Sequence, residues 1–159
     1  MKRSIVTLMG ILVLCQSWAS AATLCYTTGP LDNRVDVAAS LSSAFVVHAL
    51  NNSTSSDTTI QVLAFSLNVG TKNTGDNIFD GSLSVGPRSS IIFVPDVSDT
   101  FRYEVQVAVT GSAPDRVHIG GFGKTGAASF LGGSVPARRL VHSEWVKISC
   151  GLFGPEAPL

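Results

Sequence analysis

Charged side chains are scarce in this chain: Lys, Arg, Asp and Glu make up 14% of its 159 residues, and acids and bases balance. With no basic stripe, neither nucleic acid nor an anionic membrane surface is an expected partner. After the N-terminal apolar stretch, no run of residues approaches the length that would cross a bilayer. No amphipathic helical rhythm, internal repeat or dividing linker is present. The strained Gly-x-Ser-x-Gly turn that exposes a nucleophilic serine is missing, and the acids are spread mostly singly, leaving no address for paired-carboxylate chemistry. Gly123-Lys124-Thr125 ends like a phosphate-binding loop, but His118 stands where that motif requires its first glycine. No catalytic centre and no cofactor are therefore expected.

Cysteine is also rare, with three in the chain, and one of them lies in a leader-like segment. Lys2 and Arg3 make a basic start, Ile5 to Leu14 is apolar, and Ala19-Ser20-Ala21 offers small residues where a signal peptidase reads. Residues 1–21 are expected to be a signal peptide, with Ala22 as the mature N-terminus. An uncleaved anchor fits less well because the apolar run is short, and a lipid-modified Cys15 fits less well because Leu14 precedes it. The mature chain then carries nine bases against eleven acids. Its expected location is secreted, periplasmic or cell-surface. Cys25 and Cys150 remain, and in an exported chain an even pair reads as a disulfide. Two free thiols, or pairing with another chain, are the competing readings.

The residues that are abundant alternate. Phe101, Tyr103, Val105, Val107 and Val109 share one side of a run whose other side holds Arg102, Glu104, Gln106 and Thr110. That period of two predicts a strand with one wet face, whose dry face needs a cover. Other short apolar runs end in turn residues: Ser43 to Leu50 before Asn51-Asn52-Ser53-Thr54-Ser55-Ser56-Asp57, Ser82 to Val85 before Gly86-Pro87, and Ser89 to Val94 before Pro95. In Thr58 to Val69, Leu63, Phe65, Leu67 and Val69 are out of phase with Ile60 and Val62, which predicts a bulge or a strand buried on both faces. Arg116 to Gly121 starts a strand that runs into a glycine-rich stretch ending at Gly133. Residues 138–149 fit a strand or a helix by period, and their Val, Ile and Trp content favours a strand. Residues 151–159, rich in Gly and Pro, read as a flexible tail. The expectation is one all-β domain over residues 22–150, an antiparallel β-sandwich of immunoglobulin-like size with six to eight strands and open topology.

Several residue groups carry possible chemistry, each beside a plainer reading. His48, His118 and His142 lie on different predicted strands and would form a metal site only if folding gathers them; a lone strand histidine is usually just packed. Asp76, Asn77 and Asp80, and likewise Asp96 and Asp99, put oxygen ligands close together as calcium requires, though Asp and Asn also make turns unaided. Asn51 and Asn52 both begin acceptor sequences for N-linked sugar. Tyr103, Phe122 and Trp145 are candidates for an apolar ligand platform, with the core as the alternative home for such rings.

From these absences and this pattern the expected protein is exported, non-catalytic and active by contact, as a surface, matrix or assembly component whose partner is protein or cell-surface material. A carbohydrate- or calcium-linked binding module is the alternative, and an enzyme with a site assembled from separated loops is a third.

Overall fold

The computed structural model describes residues 21–33, 42–67, 76–124 and 139–155. The strand that alternates most cleanly in sequence becomes β7 (Arg102–Gly111), and two sheets are laid out around it. In the first sheet β7 lies between β1 (Ala22–Thr27) and β4 (Thr58–Ser66), flanked in turn by β10 (Val146–Ile148) and β5 (Asn77–Val85). The two-residue β2 (Leu31–Asp32) continues along the β1 side of β7 after the Gly29-Pro30 kink. The second sheet runs β6 (Ser89–Phe93), β3 (Ala44–Asn51), β8 (Val117–Lys124), β9 (Arg139–Leu140). All pairings are antiparallel. The molecule is an all-β sandwich, with ten strands among the described residues where six to eight were expected; the surplus is three strands of two or three residues.

Alternation explains the core. Tyr103, Val105, Val107 and Val109 of β7 and Ile60, Val62 and Ala64 of β4 face Phe45, Val47 and Ala49 of β3 and Val117 and Ile119 of β8. All of these are at most 3% exposed. Each such Val, Ile or Phe contributes about 1.5–3 kcal/mol by leaving water. Gly121 on β8 is small for a packing reason, because a Cβ there would stand 2.6 Å from the Phe45 ring and 3.3 Å from that of Trp145. The phase change in β4 has both of its expected causes. Leu63 and Phe65 are buried on the face opposite Ile60 and Val62, and the register with β5 shifts between Ala64 and Phe65.

Four expectations are corrected. The wet face of β7 is dry at its centre: Glu104 and Gln106 are 5% and 1% exposed. Cys25, whose neighbour across the ladder is Ala108, is bonded to Cys150. The following turn settles on this face, where Gly154 N–H donates to Gln106 Oε1 at 2.8 Å. Thr27 Oγ1 and Gln106 Nε2 both donate to Glu104 Oε1, at 2.6 and 2.9 Å. Polar side chains are accommodated there because they hydrogen-bond one another. Secondly, the start of the stretch read as a flexible tail is ordered: Cys150–Leu152 form a 3-10 turn and Gly154 is bonded to Gln106, while residues 156–159 lie outside the described residues. Thirdly, residues 138–149 are not one strand. Arg139–Leu140 pairs in one sheet and Val146–Ile148 in the other, and a 3-10 turn at His142–Glu144 carries the chain across. Finally, Phe101 lies outside β7 and is exposed.

Two asparagines fix the chain ends of the sheets. Asn51, fully buried, donates from Nδ2 to the carbonyls of Ser56, Val85 and Gly86 and accepts from Ser53 N–H. One side chain thus clamps the β3–β4 and β5–β6 crossovers together. At the other end, Asn33 donates to the carbonyls of Ser42, Val97 and Thr100.

Candidate functional site

The sandwich has two unlike rims. At the first, β8 and β9 of one sheet meet β1 and β10 of the other, and the chain closes the gap by crossing through Val141–Trp145. His142 sits in that crossover with its ring 5.6 Å from Tyr26 and 5.5 Å from His118, centre to centre. Its Nδ1 accepts the backbone N–H of Ile119 at 3.2 Å, taking the place of a ladder partner for β8. Beside it Glu144 Oε2 accepts Val141 N–H at 2.7 Å.

This rim brings together two of the three predicted histidines. His48 stands apart and exposed on β3, opposite Gly120 of β8 and Ile92 of β6. Among the described residues no group of three or more His, Cys, Asp or Glu is placed to hold a metal ion. The Ile119 bond also works against His142 as a ligand. With Nδ1 accepting, the neutral ring carries its proton on Nε2, so neither ring nitrogen has a free lone pair for a metal ion.

Burial, and then the neighbouring His118, push His142 below the ordinary histidine value of 6.5. Burial, and then the Asp115 carboxylate, raise Tyr26. For His142 the unfolded chain takes up the proton first on acidification. The stabilisation is therefore complete above the unfolded value of 6.5 and is lost as pH falls through the lower folded value. The charged or titratable groups around the ring are His118 on β8, Tyr26 on β1, Glu144 beside it and, beyond Tyr26, Asp115. Melting temperature is expected to fall as the pH is lowered through and below the unfolded value of 6.5. His142→Asn, which keeps an acceptor for Ile119 but does not titrate, is expected to flatten that part of the profile in scanning calorimetry.

The other sequence candidates are placed as follows. Tyr103 and Trp145 are 3% and 5% exposed and lie in the inter-sheet core, with Tyr103 against Phe45 at 5.6 Å between ring centres. Neither offers a face to a ligand, so the platform is withdrawn for both; their amphipathic rings fill the space between the sheets. Phe122 is half-buried on β8 and stands without them. Asn77 and Asp80 belong to β5 rather than to a calcium loop, and Asp80 Oδ1 accepts from Gln61 of β4. Asp96 acts as a turn former: its carboxylate accepts Ser98 N–H at 2.9 Å, and that bond holds its pKa down. Of the two sugar acceptor sequences, Asn51 is sealed in the fold while Asn52 is exposed.

The second rim is open. β5 ends the first sheet and β6 ends the second, and among the described residues neither has a strand on its far side. A side-chain layer bridges them: Phe79 of β5 meets Phe93 of β6 edge-on at 6.3 Å, and Gly81 leaves room for the Phe79 ring, whose atoms would lie 2.9 Å from a Cβ. Leu83 lies on the same side of β5 but beyond that layer, 51% exposed, and Ile92 on β6 is 47% exposed. Sequence reasoning missed this rim. The signal was available: Asn-Ile-Phe-Asp-Gly-Ser-Leu-Ser-Val and Ser-Ser-Ile-Ile-Phe hold one charge between them and no Lys, Arg or Pro. Edge strands are usually guarded by those residues.

Comparison with protein-family models, with curated proteins and with solved structures found nothing that matches this chain.

Proposed function

We propose that this is an exported, non-catalytic β-sandwich that works by contact, using the open rim of β5 and β6 to receive a strand from protein or cell-surface material. The observation that carries the reading is β5 itself, nine residues at a sheet edge with Leu83 half exposed and no guarding cation or proline. Such an edge offers main-chain donors and acceptors for affinity and alternate side chains for selection. The contrast with the other rim supports it, since there the chain itself crosses between the sheets and Lys147 lies on the short β10. Export is supported by the basic-apolar-small order of residues 1–21 and by the Cys25–Cys150 bridge, a bond that persists in oxidising compartments. No helix among the described residues is long and apolar enough to cross a membrane.

The test is photo-cross-linking in the producing cell, with a photo-reactive residue at Leu83, at Ile92 or, as control, at Lys147. Adducts from the first two positions and none from the third are expected. Adducts from Lys147 alone, or from no position, would overturn the reading.

A further inference from the structure

Strand β5 is complementary to itself. Written antiparallel about Gly81, it sets Phe79 opposite Leu83, Asp80 opposite Ser82 and Ile78 opposite Ser84. No like charges meet in that register, and the half-exposed Leu83 gains an aromatic neighbour on its own face of the sheet, which is a favourable cross-strand pair. The main chain agrees with the side chains. Leu67 N–H bonds to Arg102 O and Thr28 N–H to Val105 O, so the odd-numbered residues of β4 bond to β7 while Val62 and Ile60 turn to β5, opposite Gly81 and Leu83. Gly81 and Leu83 are therefore bonded to β4, and strand alternation turns the amides and carbonyls of Asp80 and Ser82 to the open side. Those two residues are the ones that would exchange hydrogen bonds in the Gly81-centred register, with Asp80 meeting Ser82 twice and Gly81 facing its own copy as a non-bonded pair.

We infer that the occupant of the β5 edge is a second copy of this chain, joined antiparallel about Gly81 so that the two six-stranded sheets become one continuous sheet across a twofold axis. The inference rests on the strand-edge reading above and names the partner for it. The interface is isologous: every contact occurs twice, so one substitution acts at two places. Ser82 and Asp80 are both exposed on β5, which makes their cross-pairing testable by charge alone.

Sedimentation equilibrium of the purified, oxidised protein gives the dimer dissociation constant. Ser82→Asp sets a carboxylate opposite Asp80 of the other copy, twice, and is expected to raise that constant about fivefold; Ser82→Lys is expected to lower it by a similar factor. Ser84→Asp, whose neighbour in this register is Ile78, controls for added charge and is expected to have the smaller effect. Melting of each variant under dilute, monomeric conditions confirms that folding is intact. A dimer indifferent to both Ser82 variants, or one in which Ser84→Asp acts as strongly, overturns the register. A chain that stays monomeric at every concentration overturns the homotypic pairing. In that case adducts from Leu83 to a different protein leave the contact function standing, and their absence removes both.

Discussion

Replacing both Cys25 and Cys150 with Ser is expected to cost about 4–5 kcal/mol of folding stability, with a fall in melting temperature on the order of 10–20 °C. The two cysteines are 125 positions apart, so the bridge closes a loop that takes in nearly the whole described fold. Chain-entropy arguments give long loops the largest effect, because the cross-link removes the most freedom from the unfolded ensemble. A second contribution is local. Cys150 anchors the turn whose Gly154 amide rests on Gln106, above the Thr27, Glu104 and Gln106 hydrogen bonds. Released, that turn lets water reach a buried glutamate. Denaturant melts of the oxidised protein and the double variant check the total. A loss below about 1 kcal/mol would mean that the unfolded chain is already restricted or that the bridge strains the native state, and either would contradict the role given to it here.

The second large effect is expected at Asn51. Asn51→Ala leaves the buried Val85 carbonyl without its donor, as well as the more accessible Ser56 and Gly86 carbonyls and the Ser53 amide. The two orphaned buried groups, the Val85 carbonyl and the Ser53 amide, cost about 1–3 kcal/mol each, and the other two carbonyls can find water, so a loss of about 2–6 kcal/mol is expected. Asn51→Asp separates polarity from shape. It retains the acceptor for Ser53 but turns a carboxylate toward three carbonyl oxygens. At neutral pH it should be at least as damaging as the alanine, and part of the loss should return on acidification, when the carboxyl gains a proton to donate. The neighbouring Asn52→Ala, on an exposed side chain, is expected within about 0.5 kcal/mol of wild type. Equal effects at Asn51 and Asn52 would show that the clamp is not holding the crossovers.

How far the fold was legible depends on how local its cause is. The alternation of Tyr103, Val105, Val107 and Val109 is a property of one strand, and it led directly to the centre of a sandwich. The broken phase of Ile60, Val62, Leu63 and Phe65 likewise held its explanation within itself. What was misread depended on distant chain. Glu104 and Gln106 read as solvated because nothing near them says that a turn some fifty residues later will cover them. The pairing of Cys25 with Cys150 contains that information, since a bridge to β1 brings residue 150 beside β7. Leu140 to Ile148 keeps a two-residue rhythm through His142 and Glu144, although those residues leave one sheet for the other; periodicity does not register a change of layer. Asn51 looked like the first residue of a polar turn because composition cannot distinguish a wet amide from one that meets three carbonyls.

The candidate site was less legible than the fold, for a related reason. An exposed aromatic and a core aromatic are the same letter, and Tyr103 and Trp145 proved to be core. Leu83 and Ile92 lie on strands of ordinary composition; their significance is that β5 and β6 are the last strands of their sheets, a fact of topology. The histidines divide in the same way, with His118 and His142 joined by a crossover whose existence the sequence did not announce.

Residue-resolved amide exchange along β5 tests the central claim most directly. In dilute, monomeric protein the Asp80 and Ser82 amides should exchange quickly while those of Gly81 and Leu83, bonded to β4, exchange slowly, and the difference should close as the rim is occupied. Slow exchange at Asp80 and Ser82 in the isolated monomer would mean that the rim is already covered by the chain itself, and the account of this protein as a strand-edge contact module would be wrong.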